Sequence, residues 1–239
     1  MTDFIAKVAP MLLDGAWITL KITFISVSLA ALLALPMSIL RIQSSRVYRW
    51  PVKLFISFFR GTPLIAQLFL LYYGSGQFRP WLMDMGLWTF FRDPVNCAML
   101  VFTLNSLAYQ TEILRGAIQS VDAGEIEAAK SMGMHNSLLY KHIVLPLAYR
   151  IAFPALGNEC ILMLKGGAVA SVITVMDLMG QTRRAFSQTF DISTYFLAAA
   201  MYLIIATLFV MAWRQAERYL YRHQIQRTPG AKSVTAAAT

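Results

Sequence analysis

Apolar positions in this chain gather in long uninterrupted runs instead of the narrow stripes of a surface helix. Four runs are free of charge and of spanning or near-spanning length: 22–40, 61–78, 94–111 and 192–213. A bilayer core about 30 Å thick takes roughly 20 helical residues to cross, so each predicts a transmembrane helix. A fifth run, 151–176, is interrupted by Glu159 and Lys165 but is otherwise apolar, and its length suits a tilted span. Between 111 and 151 lies a stretch too polar for lipid and patterned as two short helices. Asp122 and Glu125 have capping-box spacing at the start of the first, and Gly133 stands where it would end. Asn136 or Ser137 can cap the second, and Pro146 is expected to turn the chain back toward the membrane.

The pattern therefore predicts an all-α integral membrane protein with about five transmembrane helices and a cytoplasmic helical loop, about 119–148, between the third and fourth. Residues 1–14 are expected to precede the membrane domain on the outer side. The domain itself is expected over 15–227, followed by a disordered cytoplasmic tail, 228–239. Composition agrees: 57% of the 239 residues are hydrophobic and 14% charged, which leaves room for one membrane domain and no separate soluble one.

Charge adds the orientation. The net +9 is spread between the apolar runs and not gathered on one accessible face, which argues against nucleic acid and for the lipid bilayer as the partner. Arg41, Arg46, Arg49 and Lys53 follow the first span, Arg115, Lys130, Lys141 and Arg150 lie around the polar loop, and Arg214, Arg218, Arg222, Arg227 and Lys232 follow the last span. The other side holds only Lys7, Arg79, Arg92, Arg183 and Arg184. Five spans with the amino terminus outside and the carboxyl terminus inside fit this asymmetry. The start of the chain lacks the basic region of a cleavable signal, so the first span is expected to be retained.

An ionised side chain within a bilayer is costly, so Glu159 and Lys165 need a protein interior, a watery path or a route to the interface. Six residues apart, they are separated by about 240° around a helix and do not neutralise each other directly. Glu159, with Asn158, is a candidate lining of a translocation path that meets a cationic group; pairing with another helix is the competing reading. Lys165 is placed to snorkel outward. Arg60, Gly61 and Pro63 are expected to kink the second span, while Gly166 and Gly167 permit close helix approach or a break. Trp50, Trp81, Trp88 and Trp213 read as interface anchors, and Cys97 and Cys160 as small buried hydrophobes.

The polar loop also carries a resemblance. Glu127-Ala128-Ala129, then Gly133, then Ile143, Leu145 and Pro146 resemble the "EAA" loop of permease subunits of binding-protein-dependent ABC importers. Phe59-Arg60-Gly61-Thr62-Pro63-Leu64 with Gln67 and Tyr73-Gly74 is similar to the polar amino acid and opine group of that family. So are Ala108-Tyr109, Glu112-Ile113 and Arg115-Gly116-Ala117-Ile118, and the likeness to histidine, lysine, arginine and ornithine permeases covers nearly the whole chain. Lys165-Gly166-Gly167 departs from it, standing where a small hydroxyl or amide residue is expected beside Gly167.

The resemblance implies that 124–146, beginning at Gly124, is a coupling helix seated in a groove of an ATPase subunit. It further implies two ATP-binding subunits, a second permease subunit (a paralogue), a periplasmic solute-binding protein and a place in the bacterial inner membrane. The implied cargo is a polar, basic amino acid or an opine.

No phosphate-cradling Gly-Lys-Ser/Thr signature is present, so ATP is expected to be hydrolysed by the partner and not by this chain, and no cofactor is implied. His135, His142 and His223 lie on cytoplasmic segments without a matching acidic or cysteine cluster, which speaks against an enzyme. The rival reading is a secondary carrier or channel for small polar solutes, working without an ATPase.

Overall fold

A computed structural model describes residues 2–43 and 45–221, and the expected tail at 228–239 lies outside them. The chain folds as α1 (Thr2–Gln43), α2 (Arg46–Gly61), α3 (Leu64–Gln77), the short α4 (Arg79–Asp84) and α5 (Trp88–Phe91), then α6 (Pro94–Gln119). After these come α7 (Ala123–Ser131), α8 (Asn136–Leu139), a π-helical turn (Tyr140–Val144), α9 (Leu145–Gly166), a 3₁₀ stretch (Gly167–Ile173), α10 (Leu178–Thr189) and α11 (Ser193–Tyr221). Among the described residues three stretches are long and apolar enough to cross a bilayer: Val8–Ile42, Asn136–Ile173 and Ser193–Leu220. A fourth arises if α2 and α3, bent by 106°, form one broken span.

Helix α6, which contains the third expected span, has 26 residues and is long enough, yet it is not among those apolar stretches. Its position explains why. It packs against α1, α2, α3 and α9 at the centre of the molecule and buries Thr103, Asn105, Ser106, Gln110 and Thr111, so protein rather than lipid receives its polar face.

Two elements differ from the sequence pattern. The basic connection after the first span is itself the amphipathic helix α2, and the second expected span shrinks to α3, whose 14 residues reach only about 21 Å. Nor does Pro146 turn the chain. The second helix of the loop passes through the π-helical turn directly into α9, one helical course from Asn136 to Ile173. Pro146 has no N–H to give and its ring would strike the carbonyl one turn back; the widened turn, in which Leu145 N–H donates to the Tyr140 carbonyl, makes room for it.

Three buried clusters stack along the molecule. One, of Ala30, Ala34, Leu114, Ile118, Ala129, Leu139 and Val144, joins α1 and α6 to the polar loop. The middle one gathers Ile22, Leu68, Phe102, Met163 and Ile173. The third seats Leu178 and Ala185 of α10 on Val8, Leu12 and Ala16 of α1. Cys97 and Cys160 are both unbridged and buried.

Candidate functional site: a helical finger and a polar cavity

The polar loop forms a finger. Asp122 opens α7 by accepting the Gly124 N–H at 2.7 Å. At the other end Gly133 has φ +81°, a left-handed conformation that a side chain resists. Gly133 N–H donates to the Lys130 carbonyl at 2.9 Å and Met134 N–H to the Ala129 carbonyl at 3.2 Å, the paired bonds of a Schellman stop. Ala129 is buried against Ile118, Leu139 and Val144 and roots the finger in the body. Gly124, Glu127, Ala128 and Gly133 are exposed, with Met132 beside them 80% exposed. Ile143 and Leu145 are half-buried against the same cluster, and Pro146 is exposed.

A second feature is the corner between α2 and α3. Thr62 precedes a proline and takes the extended conformation that this requires, with φ −114° and ψ 145°. Pro63 cannot donate to the Phe59 carbonyl as the next helical residue would. Side chains supply the missing bonds. The buried Gln67 amide donates to the Phe59 carbonyl at 2.9 Å and shares its hydrogens with the Thr62 carbonyl and hydroxyl at 3.0 and 2.8 Å. Asn105 of α6 donates to the Phe59 carbonyl at 3.1 Å and to Gln67 Oε1 at 3.0 Å. The corner is thus stitched to the central helix by amides in a setting where an unmade hydrogen bond costs about 1–3 kcal/mol.

This network borders a cavity of about 160 Å³ lined by Leu64, Asn105, Tyr109, Glu159, Leu162 and Met163. Glu159 is 5% exposed, and Ser106 Oγ donates to its Oε1 at 3.2 Å. Ser106 in turn receives Gln110 Nε2 at 3.0 Å, and that amide also reaches the Val27 carbonyl of α1 at 3.1 Å. Asn158 does not share the cavity; it is exposed on the adjacent face of α9. Gly166 and Gly167 lie where α9 tightens into the 3₁₀ stretch, and a Cβ on Gly167 would meet Phe102 at an ordinary 3.4 Å.

Just beyond Tyr109, Glu112 sits among three arginines. Arg115 is 2.8 Å away, Arg41 of α1 3.6 Å and Arg60 of α2 4.0 Å. Arg60 also lies over the Tyr109 ring, 5.2 Å from its centroid. Sequence reading passed over Asn105, Ser106 and Gln110 because an uncharged run looked simply apolar. The available signal was four hydrogen-bonding residues, Asn105, Ser106, Gln110 and Thr111, within two turns of one predicted span.

Long apolar helices around a polar central helix, with a structured polar finger, define a multi-pass helical membrane protein. Comparison with known proteins places it more narrowly. The sequence profile described as "Binding-protein-dependent transport system inner membrane component" matches residues 11–217, and the chain belongs to this family. It is 39% identical over 222 residues to a nopaline transport system permease protein of Agrobacterium fabrum, covering 92% of each chain. It is 42% identical over 210 residues to the histidine/lysine/arginine/ornithine transport system permease protein HisM of Salmonella typhimurium, covering 87% of this chain and 89% of that one. Among solved structures, a chain from the crystal structure of an amino acid ABC transporter with histidines superposes with a TM-score of 0.80 at 33% identity, over 90% of this chain and 96% of that one. The inward-facing MetNI methionine ABC transporter shares the fold at 19% identity, with a TM-score of 0.73 over 88% of this chain and 96% of that one. The chain is a permease subunit of the amino acid and opine ABC importer type, a transport component.

Proposed function

We propose that this permease carries a basic amino acid or an opine inward across the bacterial inner membrane, driven by two ATP-binding subunits and supplied by a periplasmic solute-binding protein. A second permease subunit, a paralogue, completes the pathway. The observation that carries the coupling half of this reading is the exposed edge of Gly124, Glu127, Ala128 and Gly133 on a finger rooted through Ala129. Small residues let a partner groove approach the α7 backbone, and Glu127 offers a carboxylate to a basic partner group. The finger is continuous with the α9 course through the π-helical turn, so a tilt imposed at α7 reaches the helix that bears Glu159. The ATPase can shift the gate only as far as its grip differs between outward and inward states.

Glu159 supports the cationic cargo: a carboxylate beside a small cavity, held by Ser106 and flanked by Asn105 and Tyr109, favours a positive group over a neutral one. The nopaline and the histidine, lysine, arginine and ornithine systems of the relatives agree with such a cargo. The test is uptake of labelled arginine into proteoliposomes holding this chain with its partner permease, ATPase and binding protein. ATP-dependent uptake is expected, reduced at least tenfold by Glu159→Gln, with no flux through this chain alone. Arginine flux through the chain alone would establish the self-sufficient carrier instead, and unchanged uptake by Glu159→Gln would remove the carboxylate from the path.

A further inference from the structure

We infer that Arg60 is a tethered cation that competes with the substrate's basic group for Glu159, and so tunes how strongly the membrane path favours charged over neutral cargo. The inference rests on the reading of Glu159 as part of that path. A carboxylate buried among apolar residues is held ionised only with a compensating charge nearby when no substrate is present. Its hydrogen-bond donor Ser106 and its cavity neighbours Asn105 and Tyr109 are neutral. Arg60 brings a guanidinium to the rim of the same cavity, since it lies over the Tyr109 ring that lines the cavity with Glu159.

Arg60 is poorly committed elsewhere. Its ion pair with Glu112 stands at 4.0 Å, whereas Arg115 holds the same carboxylate oxygen at 2.8 Å, so Glu112 is satisfied without it. The Arg60 side chain is 43% exposed and lies over Tyr109, a ring that lines the Glu159 cavity. It belongs to the last turn of α2, beside the corner at Thr62 and Pro63, and its long side chain reaches past the stitched backbone. A guanidinium stays charged at any working pH, so its influence on Glu159 changes only by movement. A substrate cation reaching Glu159 repels Arg60 toward Glu112. A neutral molecule provides no such repulsion and meets a carboxylate whose charge is already offset. Specificity here is a difference between two ligands that share shape and differ by one charge.

The experiment measures direct binding of arginine and of citrulline, its uncharged isostere, to the assembled permease–ATPase complex in nanodiscs without binding protein. In Arg60→Gln, arginine binding is expected to tighten about tenfold, the order set by removing a like charge from a partly hydrated site, with citrulline changing less than about twofold. Arg60→Lys keeps the charge and is expected to stay near wild type. Glu112→Gln frees Arg60 from its second anchor and is expected to weaken arginine binding, which gives a test independent of the Arg60 variants. Equal arginine binding in wild type and Arg60→Gln, or equal shifts for arginine and citrulline, overturns the inference while leaving Glu159 in place. Arginine binding that survives Glu159→Gln unchanged overturns both readings.

Discussion

At the scale of single residues, Gly157 and Trp213 show how a side chain is spent. Trp213, expected as an interface anchor, stacks on Phe153 with ring centroids 4.5 Å apart and donates its indole N–H to the Phe153 carbonyl at 3.2 Å. This contact exists because residue 157 has no side chain: a Cβ there would lie 2.1 Å from Trp213 Nε1. Gly157→Ala is therefore expected to cost about 1–3 kcal/mol, the range for overpacking a filled contact, seen as a lower melting temperature of the purified protein. Adding Trp213→Ala should restore much of that loss, because the two substitutions share one contact; strictly additive losses would show that the clash is absorbed elsewhere.

At the scale of elements, the finger depends on how α7 stops. The Schellman bonds at Ala129 and Lys130 exist only while Gly133 is left-handed, and they aim the chain into α8 and the π-helical turn. An ordinary L-residue in that conformation costs roughly 1–2 kcal/mol. Gly133→Ala is thus expected to lower ATP-driven uptake by the full complex several-fold, with Gly133→Asn milder because asparagine tolerates the conformation. Gly133→Asp, which adds a charge beside the exposed edge, is expected to abolish stimulation of ATP turnover by the loaded binding protein. Normal uptake and stimulation in Gly133→Asp would mean that the finger transmits nothing. The start and stop of α7 were legible from spacing, since capping and glycine stops are local chemistry, while the motif residues between them were legible through the family resemblance. The finger's continuation through Pro146 was not, because a π-helical turn appears only once the helix has a body to pack against.

At the scale of the whole molecule, α10 is bound to α1 by one buried polar group and capped by another. Leu178 N–H donates to Thr19 Oγ1 at 3.0 Å, and Asp177 Oδ1 accepts the Gly180 N–H at 2.8 Å. Asp177 is 1% exposed and its Oδ2 has no partner, and burial raises its pKa to about 6 although the Gly180 and Met179 N–H groups and Arg183 oppose the rise. The folded protein then holds this proton more tightly than the unfolded chain does. Stability contributed here is greatest below the ordinary carboxylate pKa, falls as pH rises from about 4 to about 6, and stays lower above. Asp177→Asn keeps a good helix cap without the titration, so it is expected to flatten the melting temperature across that window. An unaltered pH slope in Asp177→Asn would assign the dependence to another group.

The amino-acid sequence by itself determined the helical membrane class and the capped ends of the polar finger, because burial in lipid and helix caps act within a few turns of one segment. Only the tertiary structure decided that α6 is a polar centre rather than a lipid-facing span. It also decided that Gln67 and Asn105 complete the corner Pro63 opens, and that Glu159 sits with Ser106 and Tyr109 apart from its neighbour Asn158. Those outcomes depend on which groups from distant segments meet, and a buried hydrogen bond or ion pair has no signature until its partner is in place.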